Sequence, residues 1–145
     1  MTDTTKTFDE IEETLGLVPQ WLRQLPDVTV APLWATMRDF YLAETVIPNK
    51  YKELIGIAVS GATRCKYCAL FHTEAARLHG ATNAEIAEAS MMGAFTMLAS
   101  TFVNAQQIDY DAFQRETYAI VKYVKQRMQQ PVGDTKPRGG RPAHA

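Results

Sequence analysis

The chain has 145 residues, 46% of them hydrophobic, enough for one domain with a buried core and too few for two of ordinary size. Fifteen Lys and Arg against sixteen Asp and Glu leave a formal charge of −1, so bulk electrostatics argue against nucleic acid or an anionic membrane as a partner. No apolar leader is read at the start, nor any run approaching the roughly 20 apolar residues of a membrane helix, and the expected location is the cytoplasm.

Helix punctuation recurs along the whole chain and no strand pattern emerges, so the expected fold class is all-α, a single helical domain over residues 1–130. The run Thr7-Phe8-Asp9-Glu10 reads as a capping box that opens a first helix ending at Leu15, with Gly16 as its stop. Pro19 starts a short helical turn to Leu25, and Pro26 breaks it. A third helix is expected from Val28 to Ala43, with Leu33, Met37, Phe40 and Tyr41 on one apolar side, and it ends before Ile47-Pro48. From Asn49 to Ser60, Leu54, Ile55, Ile57, Ala58 and Val59 make a helix apolar on nearly every side, expected to be central.

After a turn at Gly61-Ala62-Thr63-Arg64, the next helix begins near Cys65 and stops at His79-Gly80. Thr82-Asn83-Ala84-Glu85 is a second capping box, opening a helix to Asn104 that is rich in Ala, Gly and Met and suited to close packing or a subunit contact. A last helix from Tyr110 to Gln129 carries Phe113, Ile120, Val121 and Val124, expected to face inward. Residues 131–145 have no apolar periodicity and are expected to form a disordered basic tail. Trp21 and Trp34 are expected as packing anchors or interface residues.

The two cysteines are the focus. Cys65, Cys68 and His72 are separated by steps of three and four residues, so on a helix they share one face within two turns. A Cys-x-x-Cys at a helix start meets unpaired backbone N–H groups and the positive end of the helix dipole, both of which favour thiolate, the attacking species in peroxide reduction and disulfide exchange. Glu53 lies ten residues before Thr63 and His72 nine after it, so two helices folded back on each other bring the pair level. A carboxylate on one imidazole nitrogen would orient the ring and leave the other nitrogen to take a proton from Cys68. Other readings stay open: two buried thiols, a zinc site from both cysteines, His72 and Glu53, or Glu53 as an ordinary first-turn acid.

These positions, with the preceding Lys-Glu-Leu-Ile-Gly-Ile-Ala-Val-Ser, resemble the signature of the alkylhydroperoxidase D-like branch of the carboxymuconolactone decarboxylase superfamily. Leu-Gly-Leu-Val-Pro near the start and Gly-Ala-Thr-Asn-Ala-Glu-Ile after the motif helix are similar to segments of that family, so the resemblance runs from Gly16 to Lys125. It implies an all-α homo-oligomer, trimeric or hexameric, that reduces hydroperoxides through a reversible Cys65–Cys68 disulfide without metal, haem or flavin. Cys68 would attack the peroxide, Cys65 would resolve it, and Glu53 with His72 would relay the proton. The electron donor would be a lipoyl-bearing or thioredoxin-like partner. Tyr67 stands where the well-characterised peroxidases have a histidine, so the relay would either be shorter or run through water or the Tyr67 hydroxyl. A redox-sensing oligomer with little peroxidase activity and a decarboxylase-like enzyme are the alternatives.

Overall fold

A computed structural model describes residues 3–129, and the expected tail at 131–145 lies outside the described residues. Among the described residues all regular structure is helical. The helices are α1 (Asp3–Leu15), α2 (Gln20–Arg23), α3 (Asp27–Thr36), α4 (Asn49–Thr63), α5 (Lys66–Leu78), α6 (Asn83–Ala105) and α7 (Tyr110–Met128). By its internal contacts the chain divides into two compact units, with the border between Ala99 and Ser100.

In the first unit, α1 starts at Asp3 rather than at Phe8, where its Thr7 capping box would open it, and Thr7 is buried inside the helix. Ile11, Val18, Leu22 and Trp34 form one buried cluster, with Phe8, Leu25, Leu33, Met37 and Leu42 packed against it. Trp34 is therefore a core anchor, as expected, whereas Trp21 is half exposed. Gly16 and Gly80 take left-handed φ values of 79° and 78° after α1 and α5, which ends each helix without the steric cost a side chain would bring.

The third helix does not run evenly to Ala43. From Met37 to Leu42 it widens into a π-helical turn. Lys52 donates to the carbonyls of Phe40 and Ala43 at 2.7 and 2.6 Å, and Asn49 Nδ2 donates to that of Leu42 at 2.8 Å. The open carbonyls of the wide turn are thus satisfied by the first turns of α4, which fixes one element against the other.

α4 and α5 pack against each other along their lengths. The buried positions of α4 are Asn49, Glu53, Ile57 and Ser60, while Ile55 and Val59 face outward, so the helix buries a mixed polar face rather than an all-round apolar one. α6 begins with its expected capping box: the Thr82 N–H donates to Glu85 at 2.7 Å and the Glu85 N–H to Thr82 Oγ1 at 3.2 Å. Gly93 lies against α4, where a Cβ would come 2.6 Å from the Ala58 carbonyl oxygen.

With 23 residues and an apolar composition, α6 does meet the length criterion for a membrane span, contrary to the sequence expectation. Met91, Met92, Phe95 and Leu98 are exposed along it. In the second unit α7 is capped by Asp109, whose carboxylate accepts the Ala112 N–H at 2.7 Å. Phe113, Ile120, Val121 and Val124 are exposed rather than inward: among the described residues this apolar stripe of α7 is left uncovered.

Candidate active site

The thiol pair is positioned by the way α4 ends. Arg64 takes a left-handed conformation (φ 57°), its N–H bonds to the Gly61 carbonyl at 3.2 Å, and the Cys65 N–H bonds to the Ser60 carbonyl at 3.0 Å. This pair of bonds is a Schellman closure, more commonly made with glycine. It reverses the chain so abruptly that Cys65 is at once the N-cap of α5, its Sγ accepting the Cys68 N–H at 3.2 Å. Cys65 and Cys68 are joined as a disulfide with their Cα atoms 5.3 Å apart.

Folding α5 back along α4 brings Glu53 level with His72. His72 Nδ1 lies 2.7 Å from Glu53 Oε2, and Glu53 is only 3% exposed. A carboxylate can only accept, so the contact assigns the donated proton to Nδ1 and leaves Nε2 as the ring nitrogen that Glu53 does not engage. Gly56, one turn on from Glu53, makes this approach possible: a Cβ there would collide with Nδ1, Cε1 and Cγ of the His72 ring.

The group that sequence reasoning missed is Tyr41, assigned there to an apolar face. The π-helical turn carries its hydroxyl to 2.8 and 2.9 Å from the two Glu53 oxygens and 3.2 Å from His72 Nδ1. Its ring meets the imidazole edge-on, with centroids 6.0 Å apart. Burial, and then the Glu53 hydrogen bond and charge, push the phenol well above its ordinary range, so it stays a protonated donor. The available signal was a tyrosine on an otherwise apolar face, since a buried phenol needs a partner for its oxygen.

Cys68 and His72 line one cavity of about 650 Å³. The rest of α5's share of the wall is Tyr67 and Phe71, the π-helical stretch adds Met37, Tyr41 and Leu42, and the N-terminal segment adds Leu15, Pro19 and Trp21. Cys65 is half-buried and is not part of this wall, whereas Cys68 is exposed. Tyr67 is exposed too, with Lys66 Nζ 5.2 Å from its ring centre. His79 ends α5 and has no place in the cavity wall. Among the described residues no group of three or more His, Cys, Asp or Glu side chains is arranged to hold a metal ion.

The carboxymuconolactone decarboxylase family profile matches residues 29–119. The alkylhydroperoxidase AhpD core from Rhodospirillum rubrum is similar in structure, with a TM-score of 0.66 and 31% identity over 77% of this chain and 85% of that one. A protein from Methanobacterium thermoautotrophicum superposes with a TM-score of 0.51 and 33% identity, covering 61% of this chain and 97% of that one. A curated relative, uncharacterized protein 4 in the cox locus of Paracoccus denitrificans, is 32% identical over 65 residues, 45% of this chain and 59% of its own length. An all-helical chain with this thiol helix, matched over most of its length by that profile, belongs to the carboxymuconolactone decarboxylase family, in its alkylhydroperoxidase D-like branch.

Proposed function

We propose that the protein is a thiol-dependent hydroperoxide reductase that cycles between a dithiol and the Cys65–Cys68 disulfide. One observation carries the reading: Cys68 and His72 share a cavity wall, and His72 is held through Nδ1 by the buried Glu53. In the reduced protein, Nε2 of His72 takes the Cys68 proton, and the start of α5 favours the resulting thiolate through its free N–H groups and dipole. The thiolate attacks the terminal oxygen of the hydroperoxide. An S–O bond forms, the O–O bond breaks, and the departing alkoxide takes the proton from His72 to leave as the alcohol.

Cys65, one helical turn away, then attacks the Cys68 sulfenic sulfur. The S–S bond forms and the hydroxyl leaves as water with the Cys65 proton. An external dithiol, lipoyl-bearing or thioredoxin-like, supplies the two electrons and two protons that restore the pair. Cys68 is assigned the attack because it is exposed on the cavity, whereas Cys65 is half-buried and already accepts the Cys68 N–H. The exposed apolar face of α6 supports a working homo-oligomer.

The test is peroxide consumption by wild-type, Cys65→Ser and Cys68→Ser proteins with dihydrolipoamide as reductant. Turnover should require both cysteines, with sulfenic acid accumulating in Cys65→Ser and absent from Cys68→Ser. The opposite pattern reverses the two roles. Disulfide formation without turnover would point to a redox switch, and activity that survives loss of both thiols to decarboxylase-like chemistry.

A further inference from the structure

The cavity wall has two origins. Cys68, Phe71 and His72 lie within the stretch that the family profile matches, whereas Leu15 and Trp21 come from the segment before it. That segment is firmly seated, since Ile11, Val18 and Leu22 are buried in one cluster with Trp34. Leu22 and Trp21 are neighbours on one short helix with opposite fates: Leu22 is fully buried, and Trp21 stays 51% exposed on the cavity. Core packing fixes the backbone of α2 without needing the indole, so the fold leaves a large apolar ring free to line the cavity that Cys68 also lines.

The geometry points to Leu15 and Trp21 as specificity-determining residues that make the site select hydroperoxides bearing a bulky apolar group, aryl or branched alkyl, over hydrogen peroxide. The inference rests on the peroxidase reading above and deepens it. A cavity of about 650 Å³ is the size of a small-molecule site and far exceeds what two oxygens need. A hydroperoxide with its terminal oxygen at Cys68 has Leu15, Trp21, Met37 and Phe71 available to cover its substituent. Hydrogen peroxide has no apolar surface to bury there and gains nothing from the wall. The chemistry is unchanged: the O–O bond breaks, the alcohol and water leave, and the dithiol ends as the disulfide.

The test is the ratio of kcat/KM for cumene hydroperoxide to that for hydrogen peroxide, with dihydrolipoamide as reductant, in wild-type, Trp21→Ala, Trp21→Phe and Leu15→Ala proteins. Wild-type should favour cumene hydroperoxide, Trp21→Ala should lower the ratio about tenfold, and Trp21→Phe should restore most of it. A ratio unchanged by Trp21→Ala and by Leu15→Ala overturns the inference. So does a selective fall in kcat/KM for dihydrolipoamide, which would make the wall a seat for the reductant.

A second measurement separates the wall from the chemistry. Cumyl alcohol, titrated into the disulfide form and followed by NMR shifts, should bind saturably and about tenfold more weakly to Trp21→Ala. Such binding without any peroxide turnover would keep the wall and remove the peroxidase reading. No binding to wild-type would overturn the wall whatever the turnover.

Discussion

Two glycines on α4 differ in surroundings but not in helix, and together they test how the His72 ring is held. At Gly56 an added Cβ would meet three atoms of the His72 imidazole, whereas at Gly61 nothing lies within 4 Å. In a helix interior, Gly→Ala by itself is stabilising by about 1 kcal/mol, and Gly61→Ala should show up to that gain. Gly56→Ala should gain the same amount and lose more. To make room the ring must swing away, and the 2.7 Å bond to Glu53 breaks; a hydrogen bond to a charged group contributes about 1.5–3 kcal/mol. The net effect is a destabilisation of about 0.5–2 kcal/mol, because Tyr41 still donates to the buried carboxylate and limits the loss. Urea unfolding of the two variants reads the difference, and long-range nitrogen–proton NMR of the imidazole reads whether Nδ1 still carries its bonded proton. A Gly56→Ala protein as stable as Gly61→Ala, with the Nδ1 proton signal unchanged, would refute the close-approach argument.

Tyr41→Phe removes a donor from a carboxylate that is almost wholly buried, and should cost about 1–3 kcal/mol in urea unfolding along with a several-fold loss of peroxidase rate, while Tyr67→Phe on the exposed neighbour leaves stability unchanged. Phe95→Glu, on the exposed face of α6, should shift the mass measured by light scattering toward smaller species with helicity retained; a wild-type protein that is already monomeric would remove the oligomer reading. The Glu85 carboxyl is held down to about 2, first by Lys50 and then by the Thr82 N–H and hydroxyl, against an ordinary 4.5. Its folded value is the lower one, so its contribution to stability is fully present above pH 4.5 and is lost as pH falls toward about 2. Glu85→Gln should flatten that part of the urea-midpoint profile, less so in high salt because the pair is partly exposed to solvent.

Much of the site was legible in the chain because it depends on short-range geometry. The four-residue step puts Cys68 and His72 on one face of α5, the three-residue step sets Cys65 within disulfide reach of Cys68 as the N-cap, and counting from a tight turn sets Glu53 level with His72. Helix starts at Asn49 and Tyr110 and the capping box at Thr82 were equally readable, since proline and capping side chains act on their own backbone.

Other features were decided only by tertiary structure. Tyr41 reads as one apolar residue among several, and it becomes part of the site because α4 ties off a π-helical turn through Lys52 and Asn49, a long-range arrangement of hydrogen bonds without local pattern. Trp21 and Trp34 are both Trp in the sequence, and which of them fills the core or walls the cavity depends on how the first three helices stack. Gly56 is a weak helix residue until His72 arrives opposite it. The sequence by itself determined an all-helical chain with a thiol helix; only packing decided what stands over the thiols, because the partner of a side chain is chosen by elements distant along the chain.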